Sequence, residues 1–208
     1  MQLSRLLLVS AFLSLTHQVS AQAALVAGND LLFGVGAITR DTQTNLDWLD
    51  VSLSQGLSFL DVTNELGAGG DFAGFRHASI AEFQTLILNA GIGSTNTVVT
   101  GDLSAFTNLI NLVGTTDVQD GYPQTLGFLY EPPDSGTRVN GELDFFFQGS
   151  IPAYSATTTV LRSQSVDFNN VGHWLVRSSV VPEPLTILGS LTAVGFGWAT
   201  KRKVQGKK

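Results

Sequence analysis

The chain contains no cysteine. Disulfide staples, thiol nucleophiles and thiolate metal sites are therefore excluded, and a folded domain must be held by its core alone. Lysine is missing from residues 22–181, where the only basic side chains are Arg40, Arg76, Arg138, Arg162 and Arg177. Against these five arginines stand sixteen acidic residues, which leaves this segment with a formal charge of −11. The whole-chain value of −6 conceals this, because the remaining cations lie at the two ends. A surface so acidic repels phosphate backbones, so nucleic acid is excluded as a partner. The Gly-x-Ser-x-Gly, His-Glu-x-x-His and phosphate-loop patterns are also absent.

Long apolar runs are confined to the termini. Residues 1–21 have the order of a secretory signal: Arg5, an apolar stretch from Leu6 to Leu15, and Val19-Ser20-Ala21. Small residues at that end predict cleavage after Ala21, with Ala23 as a second option. At the other end Pro182-Glu183-Pro184 precedes sixteen uncharged residues, 185–200, and then Lys201-Arg202-Lys203. As a helix this run extends about 24 Å at ~1.5 Å per residue, short for a hydrocarbon core of roughly 30 Å but able to span it with thinning. The basic cluster resists translocation and holds the tail inside. The sequence thus predicts a signal peptide (1–21), an exported domain (22–180) and a C-terminal segment (181–208) containing a transmembrane helix.

Proline-Glu-Pro, an apolar span and a basic end together resemble the PEP-CTERM sorting signal of Gram-negative bacteria. The resemblance implies that an exosortase recognises Pro182, Glu183 and Pro184, that signal peptidase acts at the other end, and that the protein leaves through the inner membrane for the envelope, cell surface or secreted matrix. A plain C-terminal anchor is the alternative reading of the same residues.

Within the exported domain, strands are expected at Leu31–Thr39 and Leu46–Leu49, with a turn at Asp41–Asn45. A helix follows from Ser58 to Leu66. A second opens on the capping box Ser79…Glu82 and carries Phe83, Leu86, Ile87 and Ala90 on one face. A third runs from Leu103 to Val113 and stops at Gly114. Four strands come next, Thr125–Tyr130, Glu142–Gln148, Thr157–Ser163 and His173–Ser178, with turns at 132–136 and Asn140-Gly141. This order predicts an α+β fold with a mainly antiparallel sheet and two to three helices.

Three pieces resemble one uncharacterised bacterial family with a C-type-lectin-like fold: Asp41–Leu49 (DTQTNLDWL), Gly74–Ser79 (GFRHAS) followed by Glu82-Phe83, and His173–Arg177 (HWLVR). The resemblance implies a lectin-like domain. Trp48, Phe75 and Trp174 bring large apolar area, with Phe75 and Trp174 expected in one core. Arg76 and Arg177 are scarce cations suited to pair with Asp47, Asp50 or Glu82, or to hold an acidic sugar. His77 and His173 stand in matched pieces without metal-ligand spacing, so no metal and no cofactor are expected. Thr116–Gly121 lacks the closing glutamate of a calcium loop. Asp134, Glu142 and Asp144 offer a carboxylate pair for glycoside chemistry only if the fold sets them at the required separation. Family context implies a non-enzymatic binding or structural module associated with exopolysaccharide and biofilm; the alternative is a secreted hydrolase of envelope or matrix carbohydrate.

Overall fold

The computed structural model describes residues 25–100, 103–130, 138–161 and 169–179. The residues of the expected signal peptide with Ala21, of the expected sorting motif Pro182-Glu183-Pro184 and of the apolar run 185–200, together with Asp134, lie outside the described residues. Among those described, no helix is long and apolar enough to cross a membrane.

The fold is α+β with mostly antiparallel strands. The first sheet has the order β1-β2-β3-β11-β4, built from β1 (Leu25–Asp30), β2 (Gly34–Asp41), β3 (Leu46–Leu49), β4 (Arg76–His77) and β11 (Leu175–Ser178). The second comprises β5 (Thr97–Thr100), β6 (Asp117–Gln119), β7 (Tyr122–Leu129), β8 (Arg138–Gln148), β9 (Ile151–Leu161) and β10 (Gly172–His173), with β10 joined in parallel to β7. The backbone knits the two sheets together where Ala78 donates to the carbonyl of Trp174 and Tyr130 donates to that of Ala78, each at 2.7 Å.

Local signals explain the helices. Ser58 caps α1 (Phe59–Asn64) by accepting from the Asp61 amide. In α2 (Ile80–Asn89) the capping box closes in both directions between Ser79 and Glu82, satisfying amide groups that a helix start leaves unpaired. Helix α3 (Ser104–Val113) buries Phe106, Leu109, Ile110 and Val113 and ends at Gly114, whose φ of 88° suits glycine. Helices α2 and α3 fill the main core with Trp48, Leu143, Tyr154 and Trp174, while α1 sends Val62 and Phe59 to two smaller clusters. Strand alternation sends Ile38, Leu49 and Leu175 to the opposite face of the first sheet, where they meet Val62, Phe72 and Phe75. Trp174 and Phe75 therefore occupy separate cores rather than the shared one expected, because at the entry to β11 Trp174 turns to one face and Leu175, which packs with Phe75, to the other.

The Asn140-Gly141 turn is also corrected. Both residues lie inside β8, paired with Phe128 and Gly127 on one side and Thr159 and Thr158 on the other. The β8–β9 chain reversal comes at Gly149-Ser150 instead. The strand expected at His173–Ser178 is interrupted at Trp174, and its two pieces join different sheets.

Candidate functional site

The three motif pieces, far apart in sequence, are hydrogen-bonded neighbours. Strand β11 lies between β3 and β4, so that Val176 is opposite both Trp48 and Arg76, and Leu175 is opposite His77. Each expected site residue can be placed from this centre.

Trp174 is fully buried. Its ring stands edge-on to Trp48 with centroids 6.1 Å apart, and 4.9 Å from that of Phe83. Its indole N–H donates to the Gly141 carbonyl at 2.8 Å. Glycine is required there: a β-carbon on Gly141 would stand 2.9 Å from Trp174 Nε1, and one on Gly127 an equal distance from the same ring. Glycine inside a strand often marks such a close approach, and this was the available sequence signal for the cradle. Gly141→Ala should therefore cost about 1–3 kcal/mol through overpacking. Denaturant unfolding checks this; an unchanged midpoint would mean that the ring has room to move.

The arginines are engaged internally. Arg76 grips Glu82 with two nitrogens, at 2.8 and 2.5 Å. That contact, with added hydrogen bonds from Ser79, holds the Glu82 carboxyl down at about 2. The pair is half-exposed, so it is worth no more than about 1 kcal/mol. Arg177 lies 2.6 Å from Asp30 and 3.8 Å from Asp47, with its guanidinium 4.5 Å above the centre of the Phe75 ring. Asp47 is held chiefly by Arg40, at 2.7 Å. Asp50 instead caps the short 3-10 turn Val51–Ser54. Asp30 was not foreseen as a partner, because its strand β1 was not recognised.

The two histidines do converge. His77 Nε2 and His173 Nδ1 are 3.0 Å apart, and His173 Nε2 is 3.0 Å from the carbonyl oxygen of Leu57. A carbonyl only accepts, so His173 Nε2 carries the proton. Its Nδ1 then accepts from His77 Nε2–H, which assigns the facing proton on each ring. The backbone amide of His173 donates to Ser54 Oγ at 2.9 Å, and Phe59 stacks on His77 with centroids 4.0 Å apart. Burial drives the His173 ring down to about 4, only partly opposed by the Leu57 carbonyl and by Asp61. The two rings form a hydrogen-bonded relay that ends on the Leu57 carbonyl.

A cavity of about 370 Å³ opens against His77, lined also by Phe59, Thr63, Leu66, Arg76, Ser79 and Tyr130. Several polar groups in its wall are already occupied: Thr63 Oγ1 donates to the Phe59 carbonyl, and Ser79 and Arg76 bind Glu82. Glu142 and Asp144 share one face of β8. Asp144 accepts from Gln124 at 2.5 Å, and burial together with neighbouring Glu142 raises its carboxyl pKa. Glu142 accepts from Asn140 and from Thr159. Neither carboxylate borders this cavity or a larger one of about 570 Å³ beside α1. At 116–121 the chain makes the β6–β7 hairpin, whose turn is Asp120-Gly121 with φ of 52° and 84°. Among the described residues, no three histidine or acidic side chains are grouped to hold a metal ion.

No family model, curated protein or solved structure matches this chain.

Proposed function

We propose that the chain is an exported surface or extracellular-matrix protein, sorted through its C-terminal Pro-Glu-Pro segment, whose domain is a non-enzymatic binding or structural module of C-type-lectin-like type. Association with exopolysaccharide or biofilm follows from the family resemblance. The observation that carries the module reading is where the motif residues go. Trp48, Phe75 and Trp174 are buried, while Arg76 and Arg177 close internal ion pairs. A motif engaged in packing preserves a scaffold rather than a reaction. The adjacency of all three pieces around β11 also favours the resemblance, because unrelated fragments have no reason to meet in one sheet.

Processing is tested by mass spectrometry of the mature C-terminus after fractionation. The expected product ends near Pro184; an intact Lys208 on the mature protein would overturn the sorting claim. Binding to arrayed glycans without turnover is the result expected of a module. The hydrolase alternative rests on the raised Asp144 carboxyl beside Glu142. Glycan cleavage abolished by Asp144→Asn would establish that alternative in place of the module.

A further inference from the structure

We propose that the groove between the β1–β2 hairpin tip and α1 is a docking site for a cationic amphipathic peptide segment of another protein. The cavity of about 570 Å³ there has an apolar floor of Leu32, Phe33, Leu53, Leu57 and Phe72. Its leucines are conspicuously uncovered: Leu32 is 71% exposed, Leu53 41% and Leu57 36%. Leu31 and Val35, on the same hairpin, are almost wholly exposed. Other exposed large apolar side chains, among them Leu88, Val98, Val118, Phe147 and Ile151, are spread over separate elements, whereas this concentration on one hairpin tip and the flank of α1 marks a place where something binds.

The rim specifies the charge of the occupant. Asp61, Glu65 and Asp71 border the groove. Leu57, Asp61 and Glu65 recur at four-residue spacing, so α1 and its flanks present an apolar and acidic edge to it. The Ser58 hydroxyl donates to Asp61 and the Asp71 amide to Glu65, both neutral donors. Their negative charge is thus directed and solvated but not neutralised by those contacts. An occupant that covers the leucines brings its own atoms against these carboxylates, and a cationic occupant gains most by doing so.

The domain is poorly equipped to supply that cation from a second copy. It has no lysine, and three of its five arginines, Arg40, Arg76 and Arg177, already hold Asp47, Glu82 and Asp30. An anionic lipid surface is disfavoured by the formal charge of −11 on residues 22–181. A peptide with leucines on one face and lysine or arginine beside them meets both requirements, using the helix-in-groove mode of recognition.

The test is fluorescence anisotropy of the full chain with three labelled peptides of equal length. One is built of leucine and lysine, one of serine and lysine, and one of leucine and glutamate. The leucine–lysine peptide should bind, weaken as salt is raised, and lose at least about tenfold in affinity with Leu32→Asp or Leu53→Asp. Both substituted positions are exposed, so a matched melting temperature shows that the fold is retained. Equal binding of the leucine–glutamate peptide, or unchanged affinity in both variants, overturns the proposal. So does tighter peptide binding when Lys201, Arg202 and Lys203 are all changed to serine, because the chain's own tail would then be the occupant. A concentration-dependent dimer abolished by Leu53→Asp would assign the groove to a second copy and overturn it too.

Discussion

Replacing Trp174 by alanine should destabilise the domain by about 4 kcal/mol, the range expected when a large buried aromatic is truncated. Three losses combine at this position. The ring leaves a cavity between Trp48 and Phe83, both fully buried. The Gly141 carbonyl loses the indole donor at 2.8 Å and stays inside the protein without it. The space kept open by Gly127 and Gly141 no longer has an occupant. Against a typical total of roughly 5–15 kcal/mol, such a loss threatens folding itself. For a domain of this size the melting temperature should fall by roughly 10 °C or more. Trp174→Phe keeps most of the ring and removes the donor, so it should cost visibly less. Thermal and denaturant unfolding of the two variants measures the difference. If alanine and phenylalanine cost the same small amount, Trp174 is not the centre of the core.

The second large effect is a loss of stability on mild acidification, caused by the histidine pair. The His173 ring ordinarily titrates near 6.5, and burial lowers it to about 4 in the folded protein. Between these values the unfolded chain binds a proton that the folded chain refuses. The contribution is fully present above pH 6.5 and is lost as pH falls towards 4. A gap of that size corresponds to about 3 kcal/mol. Burial is the reason: the ring packs against Phe59 and Phe128, and its Nδ1 is already paired with His77 at 3.0 Å. Asp144 works in the opposite sense, because its raised pKa favours the folded state in acid. Glu82, held at about 2, loses its contribution only below its ordinary range of 4.5. The comparison of wild type with His173→Gln therefore isolates the histidine, since glutamine retains an amide donor for the Leu57 carbonyl. The variant should show a flatter stability profile between pH 4 and 6.5. Parallel profiles in that window would remove the pair from the account.

The elements that were legible in the sequence are those whose causes are local. Ser79 and Glu82 announce α2 because the capping box needs only residues three apart. The stripe Phe106, Leu109, Ile110, Val113 announces α3 for a similar reason. Strand β3 falls on the expected Leu46–Leu49 between a turn and a cap. Asn140-Gly141 has the strongest hairpin signal in the chain and is nevertheless strand interior. Its glycine is needed to admit Trp174, which lies 33 positions away. Strand β5, the β-branched run Thr97–Thr100, is too short to stand out in the sequence and forms by pairing with β9 on a sheet edge.

The candidate site divides in the same way. Glu82 was among the three carboxylates expected for Arg76 or Arg177, and the short link from β4 into α2 brings it to Arg76. That Arg177 would meet Asp30 was not readable, because it depends on the order of strands in the first sheet. Composition alone established an acidic, lysine-free domain without disulfides, and hydrophobic periodicity established its helices. Tertiary structure alone decided that His77 and His173 share a hydrogen bond, that Phe75 and Trp174 lie in different cores, and that the leucines beside α1 remain uncovered. Short-range patterns encode what a segment does by itself. Contacts between segments depend on register and strand order, which no local pattern contains.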